Sequence, residues 1–294
     1  MPVLKRPGWS LTETLSTRPF NVVGNVASIA GLVVAVVSEL NFKASAIPLA
    51  YVCALSLYLL VRYVRQERWA RYAEGVQPME RAARRLAETI DRTVFESEGR
   101  QVYLDGLQSS LSAFAEAFTL VTGSDCRASI KELYTEDVMI QGRSGRGSTE
   151  VERGLFVATV VRSDRDTTRR VGEAGPDLVA DNSDFQQILS TNRPFFGRNL
   201  PQQWKDRKYR NSHWTEERIA LEGFPYASAI VWPVQVDPPI GSSRDEEDRV
   251  IAFLCVDSRR RSAFSRNADT NFGAVYAHAL YPALRYHLGQ EATA

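Results

Sequence analysis

The hydrophobic pattern divides the chain in two. Phe20–Ser38 (FNVVGNVASIAGLVVAVVS) and Ala44–Val61 (ASAIPLAYVCALSLYLLV) carry no charged residue, and only Glu39-Leu40-Asn41-Phe42-Lys43 separates them. A helix crosses the hydrocarbon core with roughly 17–25 mostly apolar residues, and so short a connection joins antiparallel neighbours. The pattern predicts a transmembrane helical hairpin over residues 20–64. A hairpin buried in a soluble core would show a polar face. A signal peptide behind Lys5, Arg6 and Arg18 would end at a small-residue cleavage site rather than run into a second apolar stretch. Ala27, Gly31 and Ala35 on one arm and Ala46, Ala50 and Ala54 on the other recur every four residues, a spacing that lets helices approach closely in lipid. Basic residues lie on both outer flanks (Lys5, Arg6 and Arg18; Arg62, Arg65, Arg68 and Arg71), which places both termini in the cytoplasm of a two-pass inner-membrane protein. Residues 1–19 form a cytoplasmic lead.

Beyond the hairpin the period becomes helical. Residues 65–100 read as a connecting helix with Trp69 and Tyr72 at the membrane surface. Gly75 and Pro78 mark a hinge or a fresh helix start. Met79, Ala83, Leu86, Ile90 and Thr93 recur in steps of three and four, Gly99 weakens the helix, and Leu104, Leu107, Leu111, Phe114, Phe118 and Val121 resume it. The second stripe suits a helix covering a sheet. The first suits either that role or a dimerising signal helix.

From Cys126 the alternation becomes strand-like. Arg127–Tyr134 places Ala128, Ile130 and Leu133 inward, and Leu155–Arg162 is a β-branched run. Gln141–Glu150 is a Gly/Ser/Arg loop whose Arg143 and Arg146 either hold a phosphate or stand in solvent. Asp181–Arg193 predicts a short helix with Phe185, Ile188 and Leu189 on its apolar face and a capping box from Ser183 to Gln186. Pro194-Phe195-Phe196 opens a further strand. A polar and aromatic insertion, Asn199–Glu222, holds Trp204, Tyr209, His213 and Trp214. Tyr226–Val236 and Arg249–Asp257 are strong strands, and Asn271–Leu288 is a closing helix with Phe272, Val275, Leu280 and Leu284 as apolar positions.

Composition narrows the chemistry. A net charge of +1 gives no electrostatic case for nucleic acid. The 3 cysteines (Cys53, Cys126, Cys255) and 3 histidines (His213, His278, His287) form no metal-ligand spacing. The phosphate-loop, nucleophile-elbow, zinc-protease and kinase motifs are absent, and no nucleophile–base constellation stands out, so the chain reads as a non-enzyme. Arg259-Arg260-Arg261 reads as a surface turn.

Tyr226–Val234 (YASAIVWPV) resembles the "S-x-x-x-x-P-[VI]" strand of GAF domains. Val250–Ser258 followed by Ala263-Phe264-Ser265 is similar to their next strand and its exit, with Ala252 where the family often has Gly. Asn182–Pro194 is similar to the helix before their edge strand. The resemblance implies an α+β fold over residues 101–290: an antiparallel sheet of five or six strands, helices on one face, and a ligand pocket on the other. It implies a sensor or dimerisation module and places Phe185, Ile188, Phe196, the insertion with Trp204, His213 and Trp214, then Tyr226 and Trp232, around that pocket. The family's cyclic-nucleotide signature and bilin cysteine are missing, and the methionine-sulfoxide-reductase branch needs more pocket cysteines than Cys126 and Cys255. The cofactor is therefore unknown.

The expected partners are the lipid bilayer, a second copy of the chain in a homodimer or higher homo-oligomer, and a small molecule. With six residues after Leu288, output is expected from the hairpin or from a separate protein. Three functions fit: a membrane-anchored sensor, a ligand-gated membrane-disrupting effector of a bacterial defence system, and a non-catalytic dimerisation scaffold with a closed pocket.

Overall fold

A computed structural model describes residues 42–95, 99–141, 149–163, 176–235 and 250–291. The chain divides into two compact units, Met1–Ala70 and Arg71–Ala294. Helix α1 runs Phe42–Phe95. On its stretch in the first unit Leu55, Leu57, Tyr58 and Leu59 are exposed. Among the described residues no helix is long and apolar enough to cross a membrane. Residues 20–38, the first arm of the expected hairpin, lie outside the described residues, and on the second arm side chains are described only from Cys53 onward.

The second unit is an α+β sandwich. Helix α2 (Arg100–Thr122) follows α1, with Gly99 as its N-cap. Then come β1 (Cys126–Gln141), β2 (Thr149–Arg162), β3 (Asp177–Leu178), a 3-10 turn Val179–Asp181, α3 (Ser183–Thr191), β4 (Phe195–Gly197), α4 (Leu200–Lys205), α5 (Glu216–Glu222), β5 (Ser228–Val234), β6 (Ala252–Ser258) and α6 (Arg266–Glu291). The strands form one six-stranded sheet in the order β3-β2-β1-β6-β5-β4, and every pairing is antiparallel.

Helices cover one face. Leu107, Leu111, Phe114 and Phe118 of α2 and Tyr276, Leu280 and Leu284 of α6 are buried against Ala128, Ile130, Ile230, Trp232, Leu254 and Val256 of the strands. The α1 seam is taken up here, within the chain. Arg85 donates to Ser109 O at 2.9 Å, and Ser110 Oγ donates to Ala82 O at 2.6 Å, so α1 and α2 lie antiparallel. The buried positions on α1 include Ala82, Leu86, Thr89 and Thr93; Ala83, expected inward, is exposed.

Three further expectations are corrected. The helix does not break at Gly75 and Pro78 but continues through both. Gly75 is there for close approach, since a Cβ on it would meet Val121 Cγ2 at 2.6 Å and Ala117 O at 3.3 Å. Val275 is 70 % exposed rather than on the apolar face of α6. The capping box is not made: the N-cap of α3 is Asn182, without a side-chain cap bond, and Ser183 Oγ instead accepts the Arg210 N–H at 2.8 Å. Arg259, Arg260 and Arg261 are exposed, as expected of a turn, whereas Arg143 and Arg146 lie outside the described residues.

Candidate functional site

Strand alternation decides what reaches the other face of the sheet. With Ala128, Ile130, Ile230 and Val256 turned to the helices, period-two geometry turns Ser129, Lys131, Ala229, Val231, Cys255 and Asp257 the opposite way. A bulge helps shape this surface. Ile130 pairs with Val161 while Lys131 pairs with Thr159, leaving Val160 as the extra residue of β2. Val157 and Val161, of equal parity, consequently fall in different hydrophobic clusters. Helix α3 lays Phe185 against this face, its ring 4.6 Å from that of Phe253.

Among the described residues a cavity of about 470 Å³ opens on this side. Its walls include the outward sheet residues, Phe185, and His213, Trp214 and Tyr226 from the segment joining β4 to β5; it also runs past β2 to Leu104 and Gln108 of α2. The joining segment is pinned by polar bonds. Ser212 N donates to Asn182 Oδ1 at 3.2 Å, Ser183 N donates to Arg210 O at 3.0 Å, and Trp214 rests on Phe224 and Tyr226 with ring centroids 5.0 and 5.1 Å away.

Five carboxyl groups line the cavity; Asp105 and Glu222 stand exposed, and the other three each have a different setting. Asp177 receives Ser212 Oγ at 2.8 Å on Oδ1, with His213 Nε2 at 2.7 Å on the same oxygen and Lys131 Nζ at 3.2 Å on Oδ2. Burial pushes this carboxyl upward, but the His213 hydrogen bond, the Lys131 ammonium and Ser212 outweigh it and hold it at about 2. Asp257 is paired with Arg127, whose Nη2 and Nε lie 2.7 and 3.1 Å from Oδ1. Asp184, only 5 % exposed, has neutral donors: Phe185 N–H at 3.0 Å and Tyr209 O–H at 3.2 Å. Burial raises its carboxyl to about 6 despite those bonds and Lys131.

Behind Asp184 stands a hydroxyl chain. Tyr209 and Tyr226 oxygens are 3.2 Å apart, and Asn211 Nδ2 donates to Tyr226 Oη at 3.2 Å. Tyr209 spends its one proton on Asp184, so Tyr226 donates to Tyr209 and Asn211 feeds Tyr226. Burial carries both phenols well above their usual range, so they act as hydrogen-bond donors. Cys255 also lines the cavity, but burial pushes its thiol up to about 12. Cys126, on the helix side, likewise stands at about 12 through burial. Neither is a nucleophile at neutral pH. Among the described residues no group of His, Cys, Asp and Glu could hold a metal ion.

The sequence-selected residues separate accordingly. Phe185, His213, Trp214 and Tyr226 line the cavity. Ile188 is buried in the core beneath it. Trp204 packs edge-on against Phe224 at 5.7 Å and anchors the segment without reaching the cavity. Trp232 and Phe196 sit on the opposite face of the sheet. Trp232, 1 % exposed, donates its indole N–H to Thr270 O at 2.8 Å, and Phe196 packs with the helix-side core under the Arg266 guanidinium at 5.5 Å.

Sequence reading passed over Lys131, Asp177, Asp184 and Asn211. Lys131 carried a signal, because Ala128 and Ile130 inward leave Ser129 and Lys131 facing the ligand side of the same strand. Asp177, on a strand of two residues, carried none.

No family model matches the chain, and no curated protein matches it. Among solved structures it is similar to a type II free methionine-R-sulfoxide reductase from Thermoplasma acidophilum, at 15 % identity over 61 % of this chain and 92 % of that one, with a TM-score of 0.33.

Proposed function

We propose that the chain is a membrane-anchored sensor of the GAF type, which binds a small molecule in the cavity of its second unit and passes that state to its N-terminal hairpin or to a separate output protein. The observation that carries this reading is the cavity of about 470 Å³, a volume in the range of small-molecule sites, with aromatic walls and converging charged groups. An open cavity weighs against a scaffold whose pocket is closed. The two uncharged runs at residues 20–38 and 44–61 support the anchor. The exposed Leu55, Leu57, Tyr58 and Leu59 support it too, since contiguous apolar surface is normally covered by lipid or a partner. The strands bearing the GAF-like motifs, β5 and β6, pair directly at Ile230 and Val256. This reading places the protein in the inner membrane with both termini in the cytoplasm, as a homodimer or higher homo-oligomer, with no catalytic role.

The test is native mass spectrometry of the full chain, extracted in mild detergent from its own host. A small molecule released at one copy per chain, and absent from a variant whose cavity is blocked by Ala229→Leu, is the expected result. A chain that is empty in every preparation and binds no compound by calorimetry would overturn the reading.

A further inference from the structure

We propose that the ligand of this cavity carries an ammonium group, seated on Asp184 between the faces of Phe185, Trp214 and Tyr226. The inference rests on the sensor reading above and names the class of molecule sensed. A charge inventory of the cavity carries it. The carboxylate of Asp177 is held by Lys131, His213 and Ser212, and that of Asp257 is paired with Arg127. Asp105 and Glu222 also line the cavity but are exposed, and Glu222 pairs with Arg218. Asp184 is the remaining buried carboxylate, and among the described residues no lysine, arginine or histidine pairs with it. Lys131, the nearest cation acting on it, is held by Asp177 and lies 5.7 Å over the Phe185 ring.

A buried carboxylate held only by neutral donors is costly unless a cation reaches it. The hydroxyl chain Asn211–Tyr226–Tyr209 points its donors one way, toward Asp184, and so stabilises the charged form that a cation needs. An ammonium ion is attracted to the faces of aromatic rings, and three rings line this cavity beside the carboxylate. An anionic ligand set against Asp184 would be repelled by it, though Lys131, Arg162 and Arg218 also line the cavity. A neutral apolar ligand would leave it as uncompensated as before.

The experiment uses the full chain in detergent. Primary amines, amino acids and quaternary ammonium ions are titrated by calorimetry and tryptophan fluorescence, each beside the alcohol and the carboxylate of the same skeleton. The expected result is binding confined to the ammonium members and weakened at least about tenfold by Asp184→Asn, the loss typical of a charge-assisted bond. Asparagine is close in shape and can still accept from Phe185 N–H and Tyr209 O–H.

A second measurement needs no variant. Affinity of the natural chain for the amine falls as pH drops through about 6, where Asp184 takes up its proton. Asp105 on α2, Lys131 on β1, Arg162 on β2, Arg218 and Glu222 on α5, Cys255 and Asp257 on β6, Tyr226 on the joining segment and the Asp177–His213 pair also border the cavity, and Tyr209 touches Asp184 from behind. Loss of the pH effect in Asp184→Asn assigns it to the carboxyl. Amine binding unchanged in Asp184→Asn, or no amine bound, would overturn the assignment. Binding of the carboxylates instead, with a fluorescence change lost in Trp214→Phe, would also overturn it while leaving the cavity a ligand site. An empty cavity by mass spectrometry with no member bound would remove both readings.

Discussion

At the scale of single residues, the cavity holds two aspartates displaced in opposite directions. Asp184 binds its proton more tightly in the folded chain (about 6) than at its ordinary value of 3.8, so folding takes up a proton between those values. Stability therefore falls as pH rises from about 4 to 6, by on the order of 3 kcal/mol from this group. Asp177 is held at about 2 against 3.8, so its contribution is present above pH 4 and is lost as pH falls toward 2. Denaturant unfolding at stepped pH should show Asp184→Asn more stable than the natural chain at pH 7 and nearly equal to it at pH 4; a constant offset across that range would refute the account. Trp232 gives a second residue-level prediction. A Cβ on Gly273 would meet its indole at 2.3 Å, and that ring is fixed by Phe114, Phe118 and the Thr270 carbonyl. Gly273→Ala should cost about 2 kcal/mol despite its better helix propensity, the penalty of overpacking, and Trp232→Phe should recover part of it in the double variant, as read by thermal unfolding.

At the scale of elements, three helices meet at one hydroxyl. Ser110 of α2 donates to Ala82 O of α1 and lies 2.6 Å from Tyr276 Oη of α6, so Tyr276 is the donor in that pair. Ser110→Ala strands a buried phenol proton and should cost about 1–3 kcal/mol. Tyr276→Phe should cost less, and the double variant should lie well below the sum, which a double-mutant cycle measures.

The elements themselves were largely legible: the three/four spacing of Leu104–Val121 found α2, and β-branched runs found β2, β5 and β6. Their faces were less so. On β5 both parities are apolar, Ala229 and Val231 against Ile230, Trp232 and Val234, so alternation had no contrast to read and Trp232 was assigned to the wrong side. The expected hinge at Gly75 failed because glycine there serves a helix crossing rather than a turn. Ser183 looked like a cap because its long-range partner, Arg210, is invisible to a local motif. The cavity's aromatic wall of Phe185, Trp214 and Tyr226 was legible because aromatic clusters stand out in sequence; its charges were missed because Lys131, Asp177 and Asp184 come from three separate elements.

At the scale of the whole molecule, the proposed anchor makes a plain prediction. The full chain should stay with the membrane pellet through an alkaline carbonate wash and leave it only in detergent; release by carbonate would argue for peripheral attachment.

The cysteines extend that test. Cys126 and Cys255 are buried with thiols at about 12, which leaves on the order of one thiolate in 10⁵ at pH 7, whereas Cys53 is exposed on α1. The natural chain is thus close to a single-thiol molecule, with its reactive sulfur midway along the apolar run of residues 44–61. Charged and lipid-soluble maleimides applied to intact vesicles would work as a depth gauge, and nature has already installed the reporter without any engineering.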